Sequence, residues 1–334
     1  MASTPEGARL TEAHRQAQLQ VRNQFLVEFL AMWALLDSER LDETGPGWVQ
    51  AVARAVTTYR QLSAAVGTRY FRDFAAIEAP SSAVRPNAPL TPPPPAAPHT
   101  GRPPRNSKLA ASSSKTGSNH RRADGSRSGK RPRGDVIPSP RESRVKFEID
   151  ERALFRPTED RTRIEIPPID WTREDRATKV SLTVTGPVGQ KAKRARGKPV
   201  TQARDESFVE AAGAATRHVL TGGRQSLLTL LDEDPRVIGW ARVTDGDPCA
   251  FCAMLSGRGI VYKTKESASF RAHDNCACVA EPAYSRSAPL PGRGAEFQKL
   301  WNENIRGKFS GAEARREWRR LHERLQREGQ RAIA

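Results

Sequence analysis

Apolar residues recur at helical spacing through the first eighty positions of the chain. They occupy every fourth position from Val21 to Trp33, and positions three or four apart from Trp48 to Phe74. Each series gives one continuous apolar helical face. The stretch TGPGW at 44–48 interrupts the pattern, so we expect the first helix to be separated from the second there. Two amphipathic helices joined by a short connection predict an antiparallel hairpin.

Helical periodicity returns after position 172, following weak alternation at 145–149 and 164–166 that predicts one or two short strands. A first helical segment is interrupted at Gly186–Pro187. We expect the next helix to start at Thr201 as its N-cap and to end at Gly222–Gly223. A short helix should precede Pro235, and two further helical pieces should follow the cysteine-containing region.

The region between these helical parts has a different composition. Residues 80–142 contain almost no large apolar side chains and are rich in Pro, Ser, Lys and Arg, which predicts a disordered linker. The chain carries a formal charge of +17, and eleven Lys/Arg against two acids lie between positions 80 and 135. Such charge is typical of a polyanionic partner such as DNA, although for this segment a solvated linker is the stronger expectation.

The predicted fold class is mainly α with a small α+β Cys/His module. We expect four parts: a helical N-terminal region (1–79), the basic linker (80–142), a helical second domain containing the Cys/His module (143–284) and a basic helical tail (285–334). The N-terminal stretch lacks a secretory pattern, and no apolar run of about 18 residues occurs. We therefore expect a reducing cytoplasm and no membrane partner.

All four cysteines of the 334-residue chain lie within one short region. Cys249 and Cys252 form a CxxC motif, and His273, Cys276 and Cys278 form an HxxCxC motif. Zinc takes four thiolate or imidazole ligands in a tetrahedron, so at most four of these five residues would bind it. Ordinary reduced thiols are an alternative, and a disulfide is a third that a reducing compartment disfavours.

Zinc deaminases pair P-C-x-x-C with an upstream H-x-E. None of the upstream histidines (His14, His99, His120, His218) is followed by x-Glu, which excludes that class. A cysteine hydrolase using Cys249 with His273 stays open, without a recognisable nucleophile context.

The segment from Gly222 to Tyr284 resembles the MuF-like minor head (head morphogenesis) proteins of tailed bacteriophages, in the form found in actinobacterial phages. The similarity rests on Arg242 and Asp245 ahead of the CxxC motif and on the later HxxCxC motif. The first predicted helix and the sequence VTGPVGQKAK are also similar to that group. Under this resemblance, Arg242 and Asp245 would form a structural ion pair that braces the loop.

The resemblance implies a virion component that acts during head assembly near the portal, in the host cytoplasm and then in the phage head. Its partners would be the portal and major capsid proteins, with packaged DNA contacting the linker and tail. Two alternatives remain: a capsid maturation protease or other hydrolase using Cys249 or a metal-bound water, and a DNA-binding adaptor. No protease triad accompanies the motif, so an enzyme is the less expected outcome.

Overall fold

The first two helices form an antiparallel hairpin, as predicted. The computed structural model describes residues 1–80, 165–244, 246–260 and 270–333, with side chains described through 329. Helix α1 (Pro5–Trp33) begins after Thr4, whose hydroxyl accepts a hydrogen bond from the Gly7 N–H. Helix α2 (Leu41–Glu78) runs back along it, with the Phe25 and Tyr59 rings 5.6 Å apart.

The expected break at 44–48 is wrong, because α2 begins at Leu41 and contains Pro46. The proline lies early in the helix, where it removes a single backbone hydrogen bond. The small residues serve packing instead. A Cβ on Gly186 would lie 2.6 Å from the Trp48 ring, and one on Gly45 would lie 3.0 Å from Pro187. The start of α2 therefore fits directly against the Gly186–Pro187 junction.

Helices α3 (Thr172–Thr185), α4 (Pro187–Ala195) and α5 (Val200–Glu233) complete a helical body with α1 and α2. The interruption at Gly186–Pro187 is confirmed. The expected stop at Gly222–Gly223 and the expected cap at Thr201 are wrong, because α5 starts after Pro199 and continues through both glycines.

The two glycines lie where α5 crosses α2. A Cβ on Gly222 would lie 2.0 Å from the carbonyl oxygen of Arg60, and one on Gly67 would lie 2.7 Å from that of Gly223. Glycine is required here because the two backbones approach too closely for any side chain. Tertiary packing thus overrides the usual meaning of a glycine pair as a helix end.

A two-stranded sheet follows the helical body. Strand β1 (Gly239–Val243) pairs antiparallel with β2 (Val279–Ala283), with Ala241 opposite Glu281. Trp240 and Ala280 of the sheet pack with Phe74 and Leu227 of the helical body.

One helix, α6 (Ala250–Ser256), lies between the two strands in sequence, and two helices, α7 (Gly294–Asn304) and α8 (Gly311–Ile333), follow the second strand. They share a second small core around Phe297 and Trp318, and we call them the α6–α8 module. The predicted mainly α fold class with a small sheet is confirmed.

Several predictions fall outside the described residues. These are the first predicted strand and the predicted linker apart from Pro80; Glu165 and Ile166 of the second predicted strand are not in a strand. The described residues belong to one compact unit, and the domain boundaries stay predictions. Within the described part of the chain, no helix has the length and apolarity needed to cross a bilayer.

The α2–α5 crossing gives a testable expectation. Gly222→Ala should lower the free energy of unfolding by about 1–3 kcal/mol, because the new methyl group overlaps the Arg60 carbonyl. The matched control is Gly47→Ala, a helical glycine with nothing within 4 Å, which should stabilise by about 0.5–1 kcal/mol. Urea unfolding of the full chain measures both, and equal stabilisation by the two substitutions would contradict the close crossing.

Candidate metal centre

The CxxC motif is held in place by the α6–α8 module. Cys249 precedes the first turn of α6, and its sulfur accepts a hydrogen bond of 3.5 Å from the Cys252 N–H. The Trp318 indole of α8 donates to the Ala250 carbonyl oxygen at 2.6 Å. Gln326, also on α8, donates to the Asp247 carboxylate at 2.5 Å. Helix α8 therefore fixes the backbone that carries the first two sulfurs.

The HxxCxC motif is held by α5 of the helical body. Arg217 donates to the Asp274 carboxylate at 2.8 Å, and the Asn275 N–H donates to the Gly213 carbonyl oxygen at 3.3 Å. Arg224 donates to the carbonyl oxygens of Cys276 at 2.5 Å and Cys278 at 3.1 Å. The two motifs are thus anchored on different parts of the fold.

The two motifs meet through their side chains. Donor atoms converge in two groups of three that share Cys252: one with Cys249 and His273, the other with Cys276 and Cys278. The His273 Nε2 lies 3.0 Å from the Cys249 sulfur and 3.3 Å from the Cys252 sulfur. The Cys252 and Cys276 sulfurs are 3.8 Å apart, close to the roughly 3.7 Å edge of a tetrahedral zinc–thiolate site. These five residues, the Cys/His cluster, offer the donors for a metal ion.

Two buried arginines border the cluster. Arg242 of β1 lies 3.9 Å from the sulfurs of both Cys252 and Cys276, and donates to the Arg271 carbonyl oxygen at 2.8 Å. The guanidinium groups of Arg242 and Arg224 lie 3.9 Å and 4.9 Å from the centre of the Phe270 ring. Buried cations need nearby negative charge, and the cysteine sulfurs can supply it as thiolates.

The electrostatics favour thiolates even without a metal. The pKa of Cys249 is lowered to about 5 by three groups: the thiol of Cys252, the backbone N–H of Cys252 and the ring of His273. Hydrogen bonds from the Cys252 and Cys278 thiols, with the charges of Arg224 and Arg242, hold the pKa of Cys276 far below its usual range. Donation to Cys249 and Cys276 raises the pKa of Cys252. These pKa shifts thus favour a protonated Cys252 beside thiolates at Cys249 and Cys276.

His273 is oriented by the residue that follows it. Its Nδ1 donates to the Asp274 carbonyl oxygen at 2.6 Å, which directs Nε2 toward the sulfurs. Although burial disfavours the charged ring, this carbonyl and the sulfurs of Cys249 and Cys276 raise the pKa of His273. An imidazole nitrogen that lies close to two sulfurs is placed to bind one metal ion together with them.

A second polar cluster links α3 to α5. Ser181 Oγ lies 3.0 Å from His218 Nε2, and His218 Nδ1 lies 2.6 Å from Glu174. These distances match those of a Ser–His–acid triad. However, Ser181 lies inside α3, where the neighbouring N–H groups are bonded within the helix and cannot form an oxyanion hole. We interpret this cluster as a structural connection.

The structure brings all five predicted donors together and places Arg242 beside them. Asp245, the predicted partner of Arg242, lies outside the described residues. Sequence reasoning missed Gly213, Arg217, Arg224 and Asp274. A basic residue within an apolar stretch, as at GGRQSLL, was the available signal for Arg224.

A family model matches part of the chain. Residues 172–303 match the model of the VG15 protein family, a family of phage proteins. The matched region begins at the first residue of α3 and contains the complete Cys/His cluster. Neither the curated proteins nor the solved structures contain a match to the chain. The match relates the chain to phage proteins, and the MuF-like assignment stays a prediction.

The thiol pKa values predict an order of chemical reactivity. In metal-free protein, iodoacetamide should modify Cys249 first, because it is exposed and its pKa is lowered to about 5. Its rate should change little between pH 6 and 8 and fall as the pH drops through 5, whereas a thiol of pKa about 8.5 gains nearly tenfold per pH unit. Peptide mass spectrometry measures the order, with urea-unfolded protein as the control. First modification at Cys278, or a tenfold rise between pH 6 and 7, would contradict this expectation.

Proposed function

We propose that this chain is a minor capsid protein that acts in phage head assembly near the portal, with zinc bracing its Cys/His cluster. The observation that carries the proposal is that two groups of three sulfur and imidazole donors share Cys252 inside the region matched to a phage protein family. Portal and major capsid proteins are its proposed partners. Packaged DNA is a further proposed partner, through the basic linker and tail.

We assign Cys249, Cys252, His273 and Cys276 as the zinc ligands. These four form a continuous series of donor contacts at 3.0, 3.3 and 3.8 Å. Three thiolates and a neutral imidazole on Zn²⁺ carry one negative charge, which the guanidinium of Arg242 faces. Cys278, the residue before β2, lies within 4.8 Å of the Cys252 and Cys276 sulfurs and is the remaining, fifth donor.

The proposed role of zinc is structural. Four protein ligands close the coordination shell and leave no position for a substrate or reactive water. The metal would connect the motif anchored on α8 with the motif anchored on α5. Such a connection makes a rigid unit from a small core, which suits a protein that must keep its shape among larger capsid partners.

A cysteine hydrolase is the second candidate. The 3.0 Å separation of Cys249 and His273, with the lowered pKa of Cys249, is the geometry of an activated thiolate–imidazole pair. Against it, His273 Nε2 faces Cys252 at 3.3 Å as well, so the ring is not directed at one nucleophile. Zinc content and the effect of Cys249 substitution distinguish the two candidates.

Metal analysis tests the zinc assignment. The purified full-length protein should contain about one zinc per chain, and Cys276→Ser should contain far less, because a tetrahedral site loses one of its four ligands. Cys278→Ser is the matched control and should keep its zinc. Plasma mass spectrometry measures the content. Wild-type protein with far less than one zinc would contradict the proposal, and loss only in the Cys278 variant would reassign the fourth ligand.

The assembly role is tested in phage particles. The chain should be present in purified heads in few copies, and heads assembled with Cys249→Ser should show unchanged cleavage of the other head proteins. Quantitative mass spectrometry of heads measures both. A hydrolase would give the opposite outcome, with the variant incorporated normally and processing abolished. A chain that is absent from heads would contradict the assembly role itself.

A further inference from the structure

One face of α5 is shaped to receive the loop that carries His273 and Cys276. Gly213 and Arg217 are one helical turn apart, and Arg224 lies two turns further along. A Cβ on Gly213 would lie 2.7 Å from the Asn275 amide, so the loop rests directly on the helix backbone. Asn275 adopts a left-handed conformation with φ of 63°, which Asn tolerates better than most residues.

Arg217 links this loop to the interior of the helical body. Its Nε donates to the Asp274 carboxylate at 2.8 Å, while its Nη2 lies 3.1 Å from His218 Nε2 and 3.3 Å from Ser181 Oγ. Since His218 directs Nδ1 to Glu174, its Nε2 is free to accept from the arginine. His218 and Ser181 therefore contact the Nη2 end of the guanidinium, and its Nε faces the loop.

Asp274 connects Arg217 with the metal-facing imidazole. Its carboxylate accepts from Arg217, and its backbone carbonyl accepts from His273 Nδ1 at 2.6 Å. The ion pair therefore limits the orientation of the same residue whose carbonyl sets the ring orientation of His273. Outer partners of this kind hold a metal-binding imidazole in its binding rotamer and tautomer.

The ion pair contributes little as an attraction. The Arg217 side chain is 27% exposed and that of Asp274 is 47% exposed, so solvent screens their charges. Its effect should be visible in the geometry of the donor set, and much less in the stability of the fold.

We propose that Arg217, acting through Asp274 and helped by the absence of a side chain at Gly213, is a positioning residue for the metal-binding loop. It holds His273 in the orientation that completes the donor set with Cys249 and Cys252. This inference rests on the proposed zinc site, and it adds that α5 of the helical body controls the affinity of that site.

The test uses Co²⁺ as a spectroscopic replacement for zinc in the full-length chain. Arg217→Gln and Asp274→Asn should each weaken Co²⁺ binding by about 10-fold, the lower end of the range for outer partners of metal ligands. The double variant should also lose about 10-fold rather than 100-fold, because both changes break one connection. At saturation, their ligand-field bands should shift toward those of His273→Ala. Arg204→Gln on α5 and Asp232→Asn are the controls and should leave affinity and spectrum unchanged.

Gly213→Ala separates positioning from general stability. Alanine favours a helix over glycine, so the metal-free variant should unfold at a temperature equal to or above that of the wild type. Its added methyl group displaces Asn275, so Co²⁺ affinity should fall by about 10-fold. Opposite directions in the two measurements are not explained by simple destabilisation.

The outcomes distinguish this inference from the zinc proposal. If wild-type protein binds neither Co²⁺ nor Zn²⁺, both are overturned. If the wild type binds metal and His273→Ala binds it equally well, the cysteine-based site stands and the positioning role is overturned. Multiplicative losses in the double variant, or unchanged affinity in Arg217→Gln, also overturn the positioning role alone.

Discussion

The burial of two guanidinium groups beside cysteine sulfurs is the constraint on which the functional part of the structure depends. Arg224 is 5% and Arg242 is 1% exposed, and both stack on Phe270. In the described part of the chain Arg224 has no carboxylate partner, only the carbonyl oxygens of Cys276 and Cys278. Leaving such a cation among neutral thiols would cost several kcal/mol. Thiolates at the neighbouring cysteines would offset that cost for Arg224, and so would a negatively charged metal–thiolate centre.

Helix α5 transmits this constraint to the rest of the fold. Gly222 and Gly223 bring its backbone against α2, with Gly223 contacting Gln18 of α1 as well. Another part of the same helix presents Gly213 and Arg217 to the loop that carries His273. The position of the loop is thus determined by helix packing five to ten residues away along α5. The order of the donor residues on this loop therefore depends on the α2–α5 crossing.

The sequence predicted what periodicity and spacing encode locally. The stripe from Val21 to Trp33 is buried, and the donors of the Cys/His cluster lie in two groups of three that share Cys252. Glycine was the main source of error, because a glycine pair at a helix end and one at a helix crossing look alike until the crossing partner is known. The supporting residues were missed for a related reason. Arg217 and Asp274 lie far apart in sequence, and nothing in the local pattern of either signals that they meet.

The arrangement of the chain also explains how a long basic segment is accommodated. The region matched to the VG15 family begins at Thr172. Helix α5 lies inside that region and packs against α2, although residues 79–171 separate α2 from the region in sequence. The entropy of closing a connection grows only with the logarithm of its length, about 0.6 kcal/mol for each doubling. The length of this segment therefore has little effect on the packing of α2 against α5.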